Sequence, residues 1–177
     1  FMILNLKRDD LLLETIEKEL KKSGIRNALL TSAIGSLQKV VLHRVVGTGR
    51  EPEDEFVTLE KPMELASLQG MVLDGKAHFH MVVSDVEQSY TGHLEPGTKV
   101  LYLGEVSLVE LKGVSLTREK NEDNIGMIVE RRRKIEMKKK ILKENVCGIN
   151  DRNTCSINYA GRMRGFFIGK RIRGKDI

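Results

Sequence analysis

The chain has 177 residues, 40% hydrophobic and 31% charged, with a formal net charge of +5. That length suits one ordinary domain plus an appendage. No apolar run approaches the roughly 20 residues of a helical membrane span and no charged-then-apolar leader precedes the first element, so the expectation is a cytoplasmic protein without a membrane partner.

Residues 2–7 read as a short apolar strand. Asp9 and Asp10 offer an N-cap ahead of Leu11. Leu12, Leu13, Ile16 and Leu20 then have the spacing of an amphipathic helix, which Ser23-Gly24 stops. Residues 25–34 read as a buried strand, Gly35-Ser36 as a break, and 37–46 as the next strand. A polar loop over 47–54 contains Pro52, 56–59 is short and extended, and 62–70 enters another strand before an Asp74-Gly75 hairpin signal. Residues 76–84 and 90–94 read as strands around a polar turn. Glu95-Pro96-Gly97 turns the chain into a long apolar strand over 99–111; the segments 114–118 and 126–129 close the body. One helix followed by many short strands predicts an α+β domain over residues 2–130, with a mainly antiparallel β-sheet and a flanking N-terminal helix.

Three of the four histidines fall on one predicted hairpin, at His78, His80 and His93. Side chains alternate across a strand, so His78 and His80 share a face. If Val86 and Glu87 are the turn tip, antiparallel pairing sets His80 opposite His93, with Cβ atoms roughly 5 Å apart. Three neutral imidazoles at one point, with an open fourth position, suit a divalent transition metal such as zinc. One residue more or less in the turn sends His93 to the other face. The alternative is a polar hairpin face that happens to hold three histidines. Glu64, an acid within an apolar strand, is a candidate partner to a metal-bound histidine, or else a strand residue facing solvent. His43, beside Arg44, reads as a surface or satisfied histidine rather than a fourth ligand. Nucleophile elbows, phosphate-cradling glycine loops and dinucleotide fingerprints are absent from the sequence.

The net charge conceals a division. Residues 1–130 hold 15 Lys and Arg against 21 Asp and Glu, a net −6, whereas residues 131–177 hold 15 against 4, a net +11. An acidic body with a basic tail points to a polyanion partner or to attraction between the two halves. The tail opens with a helix-prone stretch, about 131–144, that contains Arg131, Arg132, Arg133, Lys138, Lys139 and Lys140. Two Arg-x-Arg-Gly units follow, carrying Arg162, Arg164, Arg171 and Arg173, and arginine beside glycine suits entry into a narrow minor groove. These are the candidate nucleic-acid-binding residues; a solvated basic extension is the alternative. Cys147 and Cys155 have no zinc-motif spacing and read as free thiols, or as a bridged pair if the tail folds back.

Ala33-Ile34-Gly35-Ser36-Leu37, the run from Met63 through Ser67-Leu68-Gln69-Gly70, His78-Phe79-His80, Gly92-His93-Leu94, Glu105-Val106, Leu116-Thr117-Arg118 and Gly126 appear in an order that resembles the plant- and prokaryote-conserved (PPC) domain family. It departs at Thr91, where a second glycine is common in the family, and at Ala66, where a larger aliphatic residue is usual. The resemblance implies an antiparallel sheet flanked by helix and assembled as a homotrimer. It also implies a histidine cluster that holds metal in some members, and an association with DNA. The leading expectation is a DNA-associated regulatory or architectural homotrimer, nucleoid-associated, with a three-histidine metal site. The alternatives are a metal-dependent hydrolase or lyase acting on a small molecule, and a metal- or metabolite-sensing binding module.

Overall fold

A computed structural model of the protein describes residues 1–131. Among them the order is β1 (Met2–Lys7), α1 (Leu12–Lys22), β2 (Ala28–Val45), β3 (Asp54–Leu59), β4 (Met63–Leu73), β5 (Lys76–Ser84), β6 (Ser89–Leu94), β7 (Lys99–Glu110), β8 (Leu116–Lys120) and β9 (Gly126–Glu130). This is the mainly antiparallel sheet with one N-terminal helix that the patterning predicts. The sheet runs β1-β7-β2-β4-β5-β6, with β3 added to β2, while β8 and β9 form a separate hairpin.

β2 organises the rest. At 18 residues it is roughly 60 Å long, enough to serve two sets of partners. Its first half pairs with β4 and β7; its second half pairs with β3 and with β6. The pairing of β6 with β2 closes the series β2-β4-β5-β6 into a ring of strands. The expected break at Gly35-Ser36 is instead an irregularity inside one strand, because the ladder to β7 shifts register between Gly35 and Leu37 without ending.

Burial follows the two periodicities. Leu12, Ile16 and Leu20 recur one turn apart on α1 and are fully buried against the sheet's inner face, where Leu6, Val40, Leu65, Phe79, Met81, Val83, Val106 and Leu108 meet them. The helix start differs from the expected aspartate cap. Asp10 Oδ2 accepts the Lys7 N–H at 2.7 Å, and Leu11 is the capping residue without a side-chain bond. The Leu12 N–H finds its acceptor just before β7 instead, the Thr98 carbonyl at 2.8 Å. The segment entering β7 therefore does the work usually given to a local cap.

The predicted helix about 131–144, Cys147, Cys155 and the Arg-Gly units lie outside the described residues, apart from Arg131.

Candidate metal centre

The site lies on the sheet face turned away from α1. Along β5 the residues Phe79, Met81 and Val83 enter the core, which leaves His78, His80 and Val82 on the outer face. Asp85 sets the turn that follows. Its Oδ1 accepts the N–H groups of Glu87 and Gln88, each at 2.8 Å, and its backbone N–H donates to the Gln88 carbonyl. The ion pair with Lys61 first, and then these two N–H bonds, hold the Asp85 carboxyl down to about 2, so it stays a charged acceptor. With Val86 and Glu87 at the tip, Ser84 pairs with Ser89 and His80 falls opposite His93.

Two glycines bring the backbones close enough for the histidines to meet. A Cβ on Gly70, whose φ is +137°, would lie 2.0 Å from the His78 carbonyl oxygen. One on Gly92 would lie 2.5 Å from the His43 carbonyl oxygen, so only glycine lets β6 settle on β2 there. That contact pairs His43 with His93. Four histidines consequently occupy one face. His93 is central: its ring centroid is 4.5 Å from His43, 4.8 Å from His78 and 5.5 Å from His80.

The polar atoms fall into two groups, His78 with His80 and His93 with His43 and Glu95. His78 Nε2 and His80 Nε2 approach to 3.2 Å. His43 Nδ1–H donates to Glu95 Oε1 at 2.6 Å, and His93 Nδ1 is 3.2 Å from the same oxygen but off the line of a hydrogen bond, leaving it buried and unsatisfied. Ligand atoms of His43, His93 and Glu95 all lie within 4.8 Å of one another. Burial, followed by the neighbouring histidine and Arg118 charges, pushes the His78 pKa down to about 4. Burial also lowers the pKa of His93, with His43 adding to the shift and Glu95 opposing it. Both rings are therefore neutral near pH 7, with lone pairs to give.

These residues fit a transition metal. Two imidazole nitrogens bound at ~2.0–2.1 Å to one tetrahedral ion sit roughly 3.3 Å apart, which is the His78–His80 spacing. A buried ring nitrogen without a hydrogen bond is the mark of an atom waiting for a partner. The carboxylate beside the cluster is Glu95, not Glu64. Glu64 is exposed on β4 opposite Ser84, while His80 is opposite Gln69, roughly 15 Å further along the strand at ~3.3 Å per residue. Glu95 is the residue that reading the sequence passed over; His43, read there as a surface or satisfied histidine, is satisfied by it. The signal present was the polar Glu95 immediately following the predicted strand of His93; His43 gave none, because its partner is 50 positions away.

Two clefts reach the cluster. One of about 360 Å³ is bounded by His43, Ser67, Gln69, His80 and His93; the other, of about 360 Å³, meets His78 and His93 from the side of β8 and β9. Of the nucleic-acid candidates, Arg131 is held by Asp74, Nη1 to Oδ2 at 2.9 Å. Arg132, Arg133, Lys138, Lys139, Lys140, Arg162, Arg164, Arg171 and Arg173 lie outside the described residues. No helix among the described residues is long and apolar enough to cross a membrane.

Comparison with known proteins adds the following. The model of the family described as the Plants and Prokaryotes Conserved (PCC) domain matches residues 1–112. A metal-containing protein from Archaeoglobus fulgidus has a similar structure: 28% identity, 74% of this chain and 92% of that one covered, TM-score 0.62. So does a plant- and prokaryote-conserved (PPC) protein from Pyrococcus horikoshii, at 26% identity, 74% and 92% coverage and TM-score 0.63. A candidate DNA-binding protein from Bacteroides thetaiotaomicron shares the fold at 20% identity, with 73% and 90% coverage and TM-score 0.60. No match is found among curated proteins.

Proposed function

Since the chain belongs to the Plants and Prokaryotes Conserved (PCC) domain family, we propose that it is a DNA-associated homotrimer whose folded domain carries a divalent transition-metal centre, zinc by its donor set. The observation that carries the metal is the 3.2 Å approach of His78 Nε2 and His80 Nε2, with the His93 ring centroid 4.8 and 5.5 Å from theirs. His78, His80 and His93 would hold the ion. Glu95, already bonded to His43, would orient the His93 ring from behind. The metal-containing relative supports the same reading. When bound, the ion would supply Lewis-acid chemistry beside the clefts that His78, His80 and His93 line.

Assembly is supported by the outer face of β1, β7 and β2. Ile3 (69% exposed), Ile34 (48%) and Leu103 (46%) stand there with Leu29 and Val109, around Asn5, Glu105 and Ser107. That face has the mixed apolar character of a subunit contact. The DNA part rests on the +11 tail of residues 131–177 and on the Bacteroides relative; three tails on one body multiply weak phosphate contacts. A second reading, a hydrolase or lyase acting on a small molecule, is favoured by the clefts that open on the histidines.

Metal analysis of purified protein tests the centre. About one divalent transition ion per chain is expected, lost from His80→Ala and from His93→Ala but kept in Glu64→Gln. Full metal content in His80→Ala contradicts the assignment. Loss in His43→Ala with retention in His78→Ala would instead put the ion between His43, His93 and Glu95.

A further inference from the structure

The cleft on the β8–β9 side of the histidines is basic within an acidic domain. Lys76, Arg118, Lys120 and Arg131 line it, together with His78 and His93. Asp74 is the one carboxylate on its wall, and it is already committed to Arg26 and Arg131. Arg118 is half-buried on β8 and makes no ion pair or side-chain hydrogen bond among the described residues. Burial lowers its pKa, yet a guanidinium remains charged at any physiological pH. A partly desolvated cation without a carboxylate is costly unless an anion meets it. The guanidinium fork matches the two oxygens of a carboxylate or phosphate. At about 360 Å³ the cleft has the dimensions of a small-molecule site.

We infer that this cleft binds the carboxylate or phosphate group of a small molecule, with Arg118 as its two-pronged anchor, Lys76 and Lys120 beside it, and the rest of the molecule directed to the histidine cluster. Only that last element rests on the metal reading. A duplex phosphate is the poorer occupant: the site is concave, and residues 1–130 carry a net −6 that repels DNA from the body.

The full chain, titrated calorimetrically with inorganic phosphate and separately with malonate, tests the inference. Arg118→Gln should weaken at least one of the two about tenfold, and the one that weakens identifies the anion class. Arg118→Lys keeps the charge without the fork and should recover part of the affinity. Lys112→Gln, on the surface outside the cleft, should change nothing. Circular dichroism of both Arg118 variants establishes that they are folded. Equal affinity of wild type, Arg118→Gln and Arg118→Lys for both anions overturns the inference. So does an oligonucleotide duplex that displaces the bound anion from wild type and itself loses affinity with Arg118→Gln, since the cleft would then serve DNA. Metal content of the same samples separates the two readings: protein free of metal whose anion affinity still depends on Arg118 keeps the cleft and drops the metal centre.

Discussion

His78 and His93 are held neutral by the same burial that aims them, and this has a signed consequence for stability. In the unfolded chain a histidine takes its proton near pH ~6.5, whereas His78 in the folded protein does so only at about 4. Between those values the unfolded state binds the extra proton. The contribution of His78 to the stability of the metal-free protein therefore falls as pH drops through that window and levels off below it. Asp85, held down to about 2 in the folded protein, adds to the decline only at the acid end of the window, where the unfolded carboxyl begins to take its proton. Urea midpoints measured from pH 7 to 4 should decline, and His78→Gln should decline less. Identical pH slopes for the two proteins would show that His78 is not held neutral. That His78 and His80 share a face was readable from His78-Phe79-His80 alone, because strand alternation is a local rule. The carboxylate partner was not: Glu95 and His43 are 52 positions apart, and nothing near either one announces the other.

At the scale of elements, what was legible is what neighbours in sequence decide. The β5–β6 register follows from the number of residues in the turn, and β4–β5 from the two-residue Asp74-Gly75 link. The misjudged features depend on distant chain. Gly35-Ser36 looks like punctuation, but β7 on one side and β4 on the other hold the backbone extended through it. The aspartate cap gave way to a carbonyl from the segment entering β7. Gly70 shows how an element places a site residue. Alanine there would drive its Cβ into the His78 carbonyl and force β5 outward. Gly70→Ala should destabilise the protein by about 2 kcal/mol or more and lower metal occupancy with it. Thermal denaturation and metal analysis check both; a variant of unchanged stability would mean that β4 and β5 separate freely at this point.

For the molecule as a whole, the acidic body and the basic tail divide the proposed labour. Removing residues 131–177 leaves a chain of net −6, which should keep its assembly and its metal while losing duplex binding. Light scattering of the truncated and full chains should each give three times the monomer mass, 20.0 kDa for the full chain. Affinity of the full chain for duplex should drop with salt by roughly 0.9 log units per phosphate contacted for each tenfold rise in concentration. Monomeric mass for the full chain, or equal duplex affinity with and without the tail, would contradict the division.

The return of β6 to β2 also bears on the order in which the molecule comes together. The β4–β5 and β5–β6 hairpins close short loops, so His78, His80 and His93 can meet early and cheaply. His43 joins only when His93 pairs across 50 positions of chain, among the slowest kinds of contact a small β-rich domain makes. The histidine face thus spans both the most local and the most distant pairing in this half of the sheet. An ion seated on His93 would hold the hairpin in the register that β2 must recognise, acting as a template for ring closure as well as an occupant of the finished site.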